Sequence, residues 1–155
     1  MSIDLLVRDS VREAVPAGTR RELKARVRAA LRALGRSTSS LAILLTDDLE
    51  IRALNRDFRK HDRATDVLSF HLQELAGEED PAGDGVNLGD IVISIETARR
   101  RAPRGTSLAS ELHRLTIHGL CHLFGHDHKR AGEAKVMYAL ERKLRSEGRR
   151  LRAIR

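Results

Sequence analysis

Apolar residues occur along the chain in two spacings, and these predict alternating strands and helices. Short apolar runs are typical of buried strands, and they occur at residues 3–7, 41–46, 66–70 and 88–95. Helices are predicted at residues 20–34, 47–58, 107–125 and about 131–147. The second of these helices begins with a capping box formed by Asp47 and Glu50, and the third runs from a serine to a glycine.

The order of these elements predicts an α+β fold, an α/β sandwich with a small mixed sheet of about four strands packed against helices. Strands alternate with helices in the first part of the chain, whereas the part after residue 100 is helical. A length of 155 residues suits one domain, so residues 1–155 are predicted to form a single domain. Residues 73–85 are acidic and contain several glycines, which predicts an exposed loop.

The charge of the chain is strongly basic, with 29 lysines and arginines against 22 acidic residues and a net charge of +7. Such a surface attracts RNA, DNA or acidic proteins, but a well-solvated arginine-rich surface has the same composition. The basic stretches at 99–104 and 142–155 are open to both interpretations, and the second is predicted to be a frayed tail. Only 3% of the residues are aromatic, which argues against base-stacking platforms.

The cysteine content and the apolar runs indicate the compartment. A single cysteine, Cys121, excludes an internal disulfide and suits a reducing environment. No apolar run approaches the ~20 residues that span a bilayer, and the first residues lack the layout of a signal peptide. We therefore expect a soluble, cytoplasmic protein without a membrane partner. The oligomeric state is not indicated.

A dense histidine cluster is the main chemical feature of the sequence. The segment HGLCHLFGHDH spans residues 118–128. His118 and His122 are four residues apart, which places both imidazoles on one face of a helix. Gly125 suits a left-handed turn at the helix end, after which the chain can bring His128 back. Three imidazoles with one open position form the usual catalytic zinc site, so the three histidines are the predicted metal ligands.

Other residues near the cluster have less certain roles. Asp127 either orients a ligand imidazole or is a solvated turn residue, and His126 is predicted to be an exposed neighbour. His113 lies about 140° around the helix from His118 and should point elsewhere. Cys121 lies off the ligand face and is predicted to be a small buried residue. Zinc suits the three imidazoles, although nickel, iron or copper bind the same nitrogens.

The residue after the first histidine discriminates between reactions. Metzincin proteases share the histidine spacing but have a glutamate there as the general base, whereas this chain has Gly119. A zinc peptidase therefore requires a carboxylate from elsewhere. A metal ion lowers the pKa of its water to about 7 by itself, and a phosphodiester transition state depends on positive charge around its oxygens. Phosphodiester hydrolysis thus needs no carboxylate at this position.

The cluster resembles the signature H-G-x-L-H-L-x-G-Y-D-H of the YbeY family, which comprises bacterial single-strand endoribonucleases implicated in ribosomal RNA maturation. The departures, Cys121 and His126, leave the predicted ligands unchanged. LNRDFRKHDRATDVLSF at 54–70 resembles the family segment N-x-x-[FY]-R-x-x-D-x-x-T-D-V-L-S-F, and LGDIVIS at 88–94 fits a third block. Together the blocks and their spacing cover most of residues 40–145. Lys60, Ala64 and His71 stand where the family often has glycine or proline.

The resemblance implies a catalytic role for Arg59, because the family's functional arginine occupies this place. A guanidinium grips a phosphate with two parallel hydrogen bonds. From the residues alone, the favoured interpretation of Arg59 is a surface arginine paired with Asp62 or Asp66. The resemblance also implies that Asp90 faces the cleft or a ribosomal partner, while a local strand-entry role stays open.

Three functional hypotheses follow from the sequence and the resemblance. The first is a zinc-dependent endoribonuclease that cleaves single-stranded ribosomal RNA near the 3′ end of the 16S molecule, with small-subunit proteins as partners and a role in ribosome quality control. The second is a ribosome-associated assembly factor in which the zinc is structural. The third is the zinc peptidase. The sequence does not decide whether the nucleophile is water or the RNA 2′-hydroxyl.

Overall fold

A computed structural model describes residues 2–71, 87–125 and 131–154. The strands are β1 (Ser2–Val7), β2 (Ser40–Thr46), β3 (Val67–Phe70) and β4 (Asn87–Ser94). The helices are α1 (Ala17–Ala33), α2 (Asp48–Arg59), α3 (Ile95–Arg101), α4 (Leu108–Leu123) and α5 (Ala131–Ile154), and a 3-10 helix covers Asp9–Ala14. The predicted loop at 73–85 lies outside the described residues.

The four strands form one mixed sheet in the order β1-β2-β4-β3. Strands β1, β2 and β4 are parallel, and β3 pairs antiparallel with β4 at the edge. The predicted α+β class with a small mixed sheet of four strands packed against helices is therefore confirmed. None of the described helices combines the length and the apolar composition required to cross a bilayer.

The sheet has apolar side chains on both faces, because strand residues alternate between its two sides. On one face α1, α4 and α5 enclose the main core, to which the sheet contributes Ile3, Leu41, Ile43, Leu45, Ile91 and Ile93. On the other face α2 covers a smaller cluster formed by Ile51, Leu68, Phe70 and Val92. The central strand β4 supplies both clusters, which explains its almost continuous burial.

Helix ends follow the predicted signals. Asp47 caps α2 by accepting a hydrogen bond from the backbone N–H of Glu50 at 3.0 Å, which confirms the predicted start. Ser107 caps α4 by accepting from the backbone N–H of Ser110 at 3.1 Å. After α4 ends at Leu123, Gly125 has a φ of 83°. This left-handed turn confirms the predicted terminator.

The structure differs from the sequence analysis at three elements, of which two were not predicted and one was predicted wrongly. The 3-10 helix and α3 were not predicted, because seven residues or fewer give too little periodicity to detect. The stretch 142–155 was predicted to be a frayed tail, but α5 continues to Ile154. That prediction was wrong because the arginines, leucines and alanine there are good helix formers.

The basic stretch at 99–104 is also more than a solvated surface. Arg99, Arg100 and Arg101 form the last turn of α3. Arg100 donates to the carboxylate of Asp48 at 2.9 Å, and Arg101 lies 3.7 Å from Asp66. These ion pairs join α3 to α2 and to the start of β3.

We expect Gly89→Ala to be strongly destabilising. Gly89 has a φ of 118°, and an added Cβ lies 2.2 Å from the carbonyl oxygen of Phe70. The clash and the backbone strain lower the free energy of unfolding by about 3 kcal/mol, which urea denaturation measures. The matched control is Gly132→Ala in α5, where an added Cβ meets no atom within 4 Å. Equal stabilities of the two variants would contradict the close approach of β3 to β4.

Candidate metal centre beside an arginine

The histidine pair is brought together at the end of α4. His118 and His122 lie one helical turn apart, and their Nε2 atoms are 3.1 Å from each other. The ring centroids are 4.7 Å apart and the ring planes are nearly perpendicular. Both rings are partly exposed, so the two nitrogens meet at a place that solvent or a ligand can reach.

The geometry of this pair fits a metal ion. Two bare imidazole nitrogens repel each other at 3.1 Å, so a proton or a cation has to lie between their lone pairs. Nitrogens bound to one tetrahedral zinc at 2.0–2.1 Å are about 3.3 Å apart, close to the observed separation. Within the described ranges no group of three or more histidine, cysteine or acidic side chains is arranged to hold a metal ion. The predicted third ligand, His128, lies outside those ranges together with His126 and Asp127.

A carboxylate from α5 contacts the other side of the first imidazole. Glu141 Oε1 is 2.8 Å from His118 Nδ1, and Glu141 is only 7% exposed. The sequence interpretation missed this residue, although a signal was present. Glu141 lies on the apolar face of α5 with Met137 and Leu144, both fully buried, and a single acid at helical spacing in such a stripe requires a partner.

Arg59 lies at the carboxyl end of α2 and points at the edge strand. The helix ends there because Lys60 has a left-handed φ of 64°. The guanidinium Nη2 of Arg59 donates to the carbonyl oxygen of Ser69 at 2.6 Å, and its Cζ lies 4.9 Å from the ring centroid of Phe70. The cationic group thus rests on an aromatic face at β3.

The two acids considered as partners of Arg59 form ion pairs with other arginines. Asp62 accepts from Arg52 Nε at 2.9 Å, and Asp66 lies 3.7 Å from Arg101. The structure therefore does not support the interpretation of Arg59 as a surface arginine held by these carboxylates.

Ser69 connects the arginine to the histidine helix. Its carbonyl oxygen accepts from Arg59, while its Oγ donates to the carbonyl oxygen of Gly119 at 2.9 Å. Gly119 directly follows His118 in α4. The arginine and the histidine pair therefore lie on either side of one short contact between β3 and α4, an arrangement that can bind an anion next to a metal ion.

Gly119 also bears on the peptidase hypothesis. A Cβ added there lies 2.9 Å from Ser69 Oγ and 3.1 Å from Ile91 Cγ2, so the contact with the sheet leaves no room for a glutamate. Glu141 does not replace the missing base, because it contacts the Nδ1 of His118 rather than the Nε2 that faces His122. The geometry therefore disfavours a metzincin-like peptidase.

Two further residues near the site have structural roles. His113 is buried on another side of α4, where Arg26 Nη1 lies 3.2 Å from its Nδ1, as the helical angle predicts. Cys121 is completely buried, and burial raises the pKa of its thiol to about 12. A buried thiol with such a pKa stays protonated at neutral pH and is unreactive.

Asp90 lies on β4 opposite Phe70 of β3. It is half-buried, and this burial raises the pKa of its carboxyl group. A shift in this direction marks a carboxylate that is less favourably solvated in the folded state. Its predicted contact with a cleft or a ribosomal partner stays a prediction.

Together these features define an α+β protein with a histidine pair and an arginine at one edge of a small mixed sheet. A protein-family model described as Endoribonuclease YbeY matches residues 9–148, and the chain belongs to this family. It is 48% identical over 137 residues to an Endoribonuclease YbeY of Anaeromyxobacter dehalogenans, covering 86% of this chain and 68% of that protein.

Two further comparisons agree with this assignment. An Endoribonuclease YbeY of Aquifex aeolicus is 50% identical over 110 residues, which cover 70% of this chain and 69% of the relative. A Thermotoga maritima protein with a known solution structure matches with a TM-score of 0.60 and 27% identity, over 94% of this chain and 88% of that chain.

We expect Asp90→Asn to be slightly stabilising at pH 7. The raised pKa means that the folded state binds the proton more tightly than the unfolded state, so stability falls as pH rises through the folded pKa. The amide cannot ionise and therefore avoids this loss of stability. The gain in the free energy of unfolding is no more than about 0.5 kcal/mol, because the half-buried group is still solvated. Urea denaturation of both proteins from pH 3 to 8 measures the difference, which should vanish below the ordinary pKa of 3.8. A less stable variant at pH 7 would contradict this explanation.

Proposed function

We propose that this protein is a metal-dependent endoribonuclease that cleaves single-stranded RNA in the maturation of ribosomal RNA. The observation that carries the proposal is the 3.1 Å approach of His118 Nε2 to His122 Nε2, beside an arginine joined to the same helix through Ser69. Membership of the endoribonuclease YbeY family supports it. The 16S 3′ end as the cleaved region, a role in ribosome quality control and the small-subunit proteins as partners are parts of the same proposal.

His118 and His122 hold the ion, with His128 as the proposed third ligand. Zinc is the proposed metal because three imidazoles suit it. When bound, such an ion supplies Lewis acidity toward a phosphoryl oxygen and lowers the pKa of water.

Arg59 provides the positive charge for the phosphate. Its guanidinium stays ionised at any working pH, and its planar fork matches two phosphate oxygens. In the structure Nη2 donates to the Ser69 carbonyl at 2.6 Å, and Nη1 makes a longer hydrogen bond of 3.3 Å to the Phe58 carbonyl. These bonds and the contact with Phe70 hold the group beside the histidine helix, so little conformational freedom is lost when RNA binds. The net charge of +7 favours association with the polyanion.

The first experiment compares RNA cleavage by single variants. We expect Arg59→Ala to lower kcat by about 100-fold or more, since one donor to the developing charge is lost, and Arg59→Lys to recover only part of the activity because the fork is lost. His118→Ala should reduce cleavage to background. Purified variants are assayed on a labelled single-stranded RNA.

Arg56→Ala is the matched control, because Arg56 is an exposed arginine on the same helix that pairs with Asp57. It should cleave at the wild-type rate. Full activity of His118→Ala would refute the nuclease proposal, and full activity of Arg59→Ala would refute the role given to Arg59.

The second experiment separates a catalytic from a structural metal. The main core is built from the sheet and helices α1, α4 and α5 without any metal ligand, so we expect the metal-free protein to stay folded. A chelator should lower Tm by about 10 °C, which corresponds to loss of about 4 kcal/mol of binding free energy, and should keep a cooperative transition. Differential scanning calorimetry measures both. Complete unfolding by the chelator would favour the assembly factor with a structural zinc.

A further inference from the structure

The geometry points to Glu141 as a positioning residue that holds His118 in the tautomer whose Nε2 is free to bind the metal. The residue lies on α5, whereas both histidines lie on α4. This inference rests on the metal site of the proposed function, and it adds the group that sets the affinity of that site.

The tautomer follows from the chemistry of the two atoms in contact. An ionised carboxylate has no hydrogen to donate and can only accept. The 2.8 Å contact between Glu141 Oε1 and His118 Nδ1 therefore places a proton on Nδ1. A neutral imidazole protonated at Nδ1 has its lone pair on Nε2, which is the atom that faces His122 Nε2.

The burial of Glu141 is a second, independent observation that supports its positioning role. Removing a carboxylate from water costs several kcal/mol unless it is paired, and an apolar residue on this face of α5 would avoid that cost. The ring of His118 and the nearby charge of Arg114 compensate the carboxylate. The electrostatic attraction to Glu141 is the smallest contribution to the raised pKa of Arg114, after those of Glu111 and Asp66 and against the effect of burial.

The position of Glu141 also explains how the imidazole is oriented. His118 is 25% exposed in its side chain, so packing does not enclose the ring completely. The hydrogen bond between His118 Nδ1 and Glu141 of α5 fixes the orientation of the ring. Carboxylates in this arrangement raise the basicity of a ligand imidazole and typically change metal affinity by about 10–100-fold.

The test measures zinc affinity by competition with a chromophoric chelator. Glu141→Ala loses both charge and acceptor, and we expect it to bind zinc about 10–100-fold more weakly than the wild type. Glu141→Gln retains an acceptor oxygen but not the charge, so its affinity should fall between the two. Glu13→Gln is the matched control, because Glu13 is an exposed glutamate in the 3-10 helix, and its affinity should be unchanged.

A second readout uses the metal-free protein and does not depend on zinc. Nitrogen-15 NMR of the histidine rings should show His118 protonated at Nδ1 in the wild type, with that preference lost in Glu141→Ala and weakened in Glu141→Gln. His118→Ala assigns the signals and serves as the variant without a site.

The outcomes separate this inference from the proposed function. If the wild type binds no divalent transition metal, the metal site is wrong and the positioning role fails with it. If the wild type binds zinc and His118→Ala does not, but Glu141→Ala binds as tightly as the wild type, only the role of Glu141 is refuted. Should Glu141→Ala fail to fold by circular dichroism, Glu141→Gln decides, and wild-type affinity with an unchanged His118 tautomer would overturn the inference.

Discussion

The contact between Gly119 of α4 and the edge strand β3 is the constraint on which the site depends. Because glycine has no Cβ, the helix approaches Ser69 and Ile91 closely enough for Ser69 Oγ to bond the Gly119 carbonyl at 2.9 Å. That approach places His118 next to the strand whose Ser69 carbonyl binds Arg59. A larger residue at 119 would separate the helix from the strand, and with them the imidazoles from the guanidinium.

Polar contacts with neighbouring helices also hold α4 in place. Glu141 of α5 binds His118, and Arg26 of α1 lies against His113. Each pair buries polar groups that would otherwise lose hydration without compensation. The helix is therefore held in one rotation about its axis, since a rotation that kept the apolar contacts would break these pairs. The fixed rotation is what directs both Nε2 atoms to a common point.

Features formed by interactions between neighbouring residues were predictable from the sequence, whereas features that depend on other parts of the fold were not. The Asp47 cap and the glycine turn after α4 depend on neighbours within a few residues, and both were predicted. The short helix α3 was missed because its seven residues show too little periodicity, and the ion pairs of its arginines are with Asp48 and Asp66, which are distant in sequence. The extension of α5 to Ile154 was missed because its basic composition was read as solvated rather than as helix-forming.

The sequence by itself determined that His118 and His122 share a helix face, since four residues make one turn whatever surrounds the helix. Its motifs also determined the family, which implied a role for Arg59. Only the tertiary structure decided that Arg59 reaches α4 through Ser69 and that Glu141, 23 residues beyond His118, contacts Nδ1. The reason is physical: periodicity describes one element, whereas contacts between elements depend on how the sheet and the helices pack.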